Sequence, residues 1–179
     1  MKLYKKLEID NLELIQKKVH DYIYSIWEKP PAGFEVPEWN GLVASCPELM
    51  TAFDRYGLKP IAAAASIVYK QYEIDYHIDY IDANRCQCRI NIPIINCENS
   101  FTEFGSGGEF DRIQMPNGYS AYKRKINDPT EIVKIGEVTI DVPTVIRVQI
   151  PHRIRIDTAH VPRICLTVFM DRDPVFLLD

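Results

Sequence analysis

TVIRVQIPHRIRIDTAHVPRICLTVFM (residues 144–170) holds two β-branched, apolar runs, TVIRVQIP and PRICLTVFM, on either side of a charged centre that carries two histidines. Side chains of this kind pack well on a pleated, half-buried surface. Both runs are short and bounded by proline, so strands are expected. Outward from this stretch the same character recurs in IAAAASIVYKQYEI (61–74), CRINIPIIN (88–96), GYSAYKRKI (118–126) and EIVKIGEVTIDV (131–142). IAAAASIVYK is ambiguous, because alanine favours helix; it is read as a strand. Six or more short strands separated by Gly, Pro, Asn and Asp predict an all-β sandwich or barrel. FGSGGEFDRIQMPNG (104–118) is rich in glycine and proline, but no Gly-Lys-Ser/Thr follows, so it is not a phosphate-cradling loop. A rim of the barrel is expected there, with residues 101–120 as a lid over the mouth.

The segment before the strands is helical in pattern. DNLELIQKKVHDYIYSIW (10–27) spaces Leu12, Ile15, Val19, Ile23 and Ile26 along one helix face, and Asp10 with Glu13 resembles a capping box. His20 falls at the edge of that face and reads as a boundary residue. EKPPAGFEVPEWNG (28–41), with three prolines and two glycines, predicts an irregular connector. SCPELMTAFDRYG (45–57) predicts a second short helix, capped by Ser45 with Glu48, started at Pro47 and ended by Gly57.

With 179 residues, 46% of them hydrophobic, the chain suits a single domain. Its expected division is a helical part over 1–59 and a β core over 60–175. A net charge of −4 and scattered Lys and Arg leave no nucleic-acid footprint. No apolar run is long enough for a membrane span, and MKLYKKLEIDNLE lacks the apolar centre of a signal peptide. A soluble, cytoplasmic protein is expected. Five cysteines, an odd number without zinc-ribbon spacing, argue against a disulfide framework. Cys86 and Cys88 read as small buried or strand-flanking thiols.

Candidate chemistry sits in YEIDYHIDYIDANRCQCRINIPIIN (72–96), where His77 and Asp79 are two apart. In an extended chain such residues share a face and can aim at one point. Two histidines and one carboxylate on one face, with coordination positions left open, form the site of non-haem iron(II) oxygenases. The third ligand must come from His20, His152 or His160. His152 lies at the end of TVIRVQIPH, and Arg163 follows eleven residues later at the start of RICLTVF. In a jelly roll those two strands return side by side, so the arginine can face the same pocket. His160 is the alternative ligand, which would need Arg172 as its arginine. Arg153 and Arg155 read as solvent-facing strand charges, with contact to an acidic substrate group as the alternative.

HID, CRINIPI and IPHRIRIDTAHVPRICLTVF together resemble the iron(II)- and 2-oxoglutarate-dependent dioxygenases, in the small branch similar to aspartyl/asparaginyl and prolyl hydroxylases. The resemblance covers 61–170. It implies a double-stranded β-helix, a cupin-like jelly roll, with the N-terminal helices packed outside the larger sheet. It implies that His77, Asp79 and His152 hold iron(II), that Arg163 pairs with the distal carboxylate of 2-oxoglutarate, and that Arg89 and Asn91 orient the proximal one. Arginine suits that task because its planar fork grips a carboxylate bidentately. Asn91 stands where that branch has histidine, and Cys165 where relatives often carry a hydroxyl. Hydroxylation of an unactivated C–H bond is the implied outcome, on a small-molecule or peptide substrate. Trp39, Tyr72, Tyr76, Tyr80, Tyr119 and Tyr122 are candidate pocket aromatics. The competing readings are a non-catalytic jelly-roll binding module and a cupin-type metal enzyme that does not use 2-oxoglutarate.

Overall fold

The structure, a computed structural model, describes residues 1–69, 75–79, 87–114, 120–125, 128, 130–156 and 161–179. Tyr72, Tyr80, Cys86, Tyr119 and His160, all singled out above, lie outside the described residues.

Among the described residues twelve strands alternate with little helix. In chain order they are β1 (Tyr4–Lys6), β2 (Gly33–Glu35), β3 (Pro60–Val68), β4 (His77–Asp79), β5 (Cys88–Ile95), β6 (Ser100–Ser106), β7 (Phe110–Gln114), β8 (Ser120–Arg124), β9 (Val133–Thr139), β10 (Thr144–Arg147), β11 (His152–Ile156) and β12 (Arg163–Met170). They form two six-stranded sheets, ordered β1-β10-β5-β12-β3-β2 and β7-β8-β4-β11-β6-β9. Every described pairing is antiparallel. From β3 to β12 the chain passes from one sheet to the other at six of nine connections, the run β6–β7–β8–β9 staying within the second sheet. The result is a mainly β protein of two facing sheets.

Side-chain alternation assigns the two faces of the first sheet. Ile164, Leu166 and Val168 of β12, Ile90 and Ile92 of β5, and Ala63, Ala65 and Ile67 of β3 pack in one cluster with Ile15, Val19 and Ile23 of α1 (Leu12–Ile26). Leu42 of α2 (Trp39–Ser45), Leu49, Phe53 and Leu58 complete that layer. The opposite parity, Arg163, Cys165, Thr167, Arg89, Asn91 and Ser66, faces a cavity between the sheets. A second cluster of Phe104, Val138, Ile140, Ile146 and Val148 closes the space between the sheets elsewhere. The alanine-rich run is a strand because both its edges are paired, with β12 and with β2. Satisfied backbone groups and burial override the helical preference of alanine.

Several expectations need correction. Helix α1 begins after Asn11, which is left-handed (φ 57°) and makes no side-chain cap, so Asp10 and Glu13 form no capping box. A short polar side chain tolerates that conformation. The second helix lies earlier than expected: Glu38, inside the supposed connector, accepts the backbone N–H groups of Asn40 and Gly41 and starts α2. Residues 45–57 instead make two single-turn 3-10 segments, Pro47–Met50 and Asp54–Tyr56, with Gly57 ending the second at φ 63°. Residues 1–59 also contribute β1 and β2 to the first sheet. Among its described residues the supposed lid over 101–120 is largely strand, since β6 lies inside the second sheet and β7 pairs with β8. His152 does not end the strand before it but opens β11, in the opposite sheet from β10 and β12.

Candidate metal and anion site

Strand β4 is three residues long and is held on both sides, by β8 and by β11. His77 and His152 are direct cross-strand partners in that pairing, so their side chains leave the sheet on the same face. Asp79 follows on that face two residues after His77. One ligand atom from each of His77, Asp79 and His152 lies within 4.8 Å of the others. The nearest Oδ1 of Asp79 is 3.8 Å from Nε2 of His77 and 3.9 Å from Nε2 of His152.

Both imidazoles are oriented from behind. Nδ1 of His152 is 2.9 Å from the carbonyl oxygen of Ile150, and Nδ1 of His77 is 3.1 Å from that of Asp75. A carbonyl only accepts, so each Nδ1 is the protonated nitrogen and each Nε2 turns its lone pair toward the cluster. This backing of a ligand histidine fixes its tautomer and ring plane. His152 is 4% exposed. Burial, and then the neighbouring His77, lower its pKa to about 4 against the opposing pull of Asp79. The ring is therefore neutral, as a metal ligand must be.

Across the cavity stands Arg163, on the other sheet. Its side chain is 2% exposed. Nε donates to Ser100 Oγ at 3.2 Å and Nη1 to Ser66 Oγ at 3.3 Å. Both partners are neutral hydroxyls, and among the described residues no carboxylate pairs with this guanidinium. A buried charge without a counter-charge is costly. An anion entering the cavity would satisfy it, and the fork geometry of arginine matches a carboxylate.

The cavity measures about 590 Å³ and is lined from both sheets, with His77, Asp79, His152, Arg163, Arg89 and Asn91 all in its wall. Asn91 Oδ1 accepts from Thr167 Oγ1 at 2.8 Å, which fixes the amide and turns its nitrogen away from that bond. Arg89 lies over the Phe169 ring, 4.8 Å from its centroid. Tyr76 also lines the cavity, whereas Trp39 packs with the helical layer. Tyr122 pairs opposite Ile78, on the parity that points away from the ligands. Arg153 and Arg155 are not simply solvated: both pair with Glu103, which is 1% exposed on the parity opposite to the cavity. Sequence reasoning missed Ser66 and Ser100, the seats of Arg163; a serine in a strand carries no signal of its own until the partner strand is known.

No family model and no curated protein matches this chain. Among solved structures it is similar to the crystal structure of AviO1 from Streptomyces viridochromogenes Tue57, with a TM-score of 0.54 at 14% identity over 97% of this chain and 90% of that one. At that identity the likeness is one of fold alone, and it extends over nearly the whole of both chains.

Proposed function

We propose that this protein is an iron(II)- and 2-oxoglutarate-dependent dioxygenase that hydroxylates an unactivated C–H bond, built on a double-stranded β-helix. The observation that carries the reading is the meeting of two features in one cavity: a two-histidine, one-carboxylate cluster on one sheet and, on the other, a buried arginine with no carboxylate partner among the described residues. A structural metal site explains the first feature but has no use for the second. The strand order supports the β-helix, because β3, β12, β5 and β10 lie side by side in one sheet and β4, β11, β6 and β9 in the other. On this reading the hairpin β7–β8 is an insertion that lengthens the second sheet beside β4.

The residues fit iron(II). Two neutral imidazoles with inward Nε2 atoms and one carboxylate are the donor set that suits this ion, and they occupy one side of it only. Bound iron with 2-oxoglutarate and oxygen supplies the oxidising power, with succinate and carbon dioxide as coproducts. The chain's own residues do the rest. His77, Asp79 and His152 hold the ion, while the carbonyls of Asp75 and Ile150 keep the histidine protons away from it. Arg163 takes the distal carboxylate of the cosubstrate, with Ser66 and Ser100 holding the guanidinium plane. The hydroxyl that relatives place at position 165 is thereby supplied from β3 and β6. Arg89 and Asn91 face the proximal carboxylate. Phe34, Val68, Ile146, Val148, Ile154 and Phe169 line the same cavity and limit water around the reacting groups.

The test is oxygen-dependent conversion of 2-oxoglutarate to succinate by the iron(II)-loaded protein, measured beside iron binding. Wild type is expected to turn over slowly even without a prime substrate. His77→Ala, Asp79→Ala and His152→Ala are each expected to lose tight iron binding and this turnover. Retention of both by any of the three contradicts the ligand assignment.

A further inference from the structure

Two cysteines lie behind Arg163, and each is tied to it. Cys165 is two residues along β12 on the same face and shares the cavity wall. Cys97 lies between β5 and β6, and its Sγ is 3.1 Å from the carbonyl oxygen of Ile164, the peptide group that leads directly into Cys165. Its own carbonyl accepts the hydroxyl of Ser100 at 2.9 Å, and Ser100 Oγ in turn accepts Nε of Arg163. A continuous chain of contacts thus runs from Cys97 through Ser100 to Arg163 and back along β12 to Cys165. Both thiols belong to one buried cluster and are 2% exposed. Cys88 and Cys46, also buried, belong to the separate helical layer.

We propose that Cys97 and Cys165 are an oxidisable thiol pair that a hydroperoxide entering the cavity converts to a disulfide, and that this bond displaces Arg163 from its carboxylate-binding position. The chemistry balances without further reagents. A thiolate sulfur of the pair attacks one peroxide oxygen, the O–O bond breaks, and water or an alcohol leaves. The second sulfur then attacks the resulting sulfenic acid and expels hydroxide, which takes up its proton as water. Two thiols and one hydroperoxide give one disulfide, one water and one further water or alcohol; the sulfurs lose two electrons and the peroxide gains them. The two thiols divide the roles. The hydrogen bond from Cys165 lowers the pKa of Cys97 to about 7 against the effect of burial, and the Arg163 charge adds to this, so Cys97 is the attacking sulfur. Cys165, pushed up by that same hydrogen bond and by burial, stays a thiol and is the second sulfur. Drawing the two sulfurs into a bond pulls on the Cys97 carbonyl, hence on Ser100, and on the strand that carries Arg163.

The formation of the disulfide is independent of the dioxygenase reading; its effect on 2-oxoglutarate rests on that reading. The experiment treats the iron-free wild-type protein with a slight excess of hydrogen peroxide, quenches by alkylation, and measures intact mass and cysteine linkage by peptide mapping. Loss of two hydrogen masses with a Cys97–Cys165 peptide link, reversed by dithiothreitol and absent in Cys97→Ser and in Cys165→Ser, is the expected result. Full alkylation of both cysteines after peroxide, oxygen addition without a link, or a link through other cysteines overturns the proposal. In the same preparations, oxidised protein reloaded with iron(II) is expected to bind 2-oxoglutarate about tenfold more weakly or worse, with recovery on reduction. Unchanged affinity in linked protein overturns the displacement of Arg163. Absence of 2-oxoglutarate binding in the reduced protein, with the link formed, instead removes the dioxygenase reading and leaves the thiol pair standing.

Discussion

Arg163 is the residue on which the cosubstrate assignment turns. It is buried, faces the cavity and has two serine hydroxyls for partners. Replacing it with leucine removes a charge-assisted bidentate contact worth on the order of 2–4 kcal/mol, or roughly 30- to 1000-fold in affinity. Calorimetric titration of the anaerobic iron(II) protein with 2-oxoglutarate is expected to show that loss in Arg163→Leu and partial recovery in Arg163→Lys, with iron binding intact in both. Equal affinity in wild type and Arg163→Leu contradicts the assignment. His152 carries a second residue-scale consequence, in the pH dependence of the metal-free protein. Its pKa is about 4 in the folded chain against 6.5 for an ordinary histidine. Between those values the unfolded chain takes up a proton that the native ring refuses. The contribution is therefore intact above about pH 6.5, declines as pH falls, and is spent near pH 4, amounting to up to about 3 kcal/mol. Denaturant unfolding between about pH 7 and about pH 4 is expected to show a shallower acid loss in His152→Asn than in wild type. Equal slopes contradict the burial argument.

At the scale of elements, the site depends on how β4, β6 and β11 are brought into register. Phe104 of β6 stands opposite His152, and the next residue, Gly105, donates its N–H to Pro151 at 2.7 Å. A β-carbon at Gly105 would drive into the side chain of Ile132 and come within 2.9 Å of the Tyr76 ring, next to His77. Gly105→Ala is expected to cost about 1–3 kcal/mol of stability, with weaker iron binding, as read by chemical denaturation and metal titration. A neutral effect on both contradicts the close packing. The same elements mark where sequence patterning stops being informative. The β-branched runs of β5, β10 and β12 were legible, because the face they turn to the helical layer demands apolar residues at alternate positions. His77, Asp79, His152 and Arg163 were legible because residue type and spacing restrict metal and anion chemistry. In β11 the strand charges were legible but their partner was not: its arginines serve a buried Glu103 that no local pattern reveals. Strand β6 was masked by its glycine and serine, and β1 and β2 are too short to show a period. Helix α2 began inside a proline-rich stretch because Glu38, not serine, supplies its cap.

For the molecule as a whole, each sheet carries half of the candidate site. The second sheet presents His77, Asp79 and His152; the first presents Arg163, Arg89 and Asn91, backed by the helical layer that fixes its other face. Among the described residues no helix is long and apolar enough to cross a membrane. A cosubstrate that chelates the metal while its far carboxylate reaches Arg163 would span the gap between the sheets, and that bridging is the central claim. The most direct measurement is the visible absorption of the anaerobic protein as iron(II) and 2-oxoglutarate are added singly and then together. A charge-transfer band is expected only when both are present, saturating at one equivalent of each. Absence of any band at saturating concentrations of both, with iron shown to be bound, would contradict the dioxygenase reading.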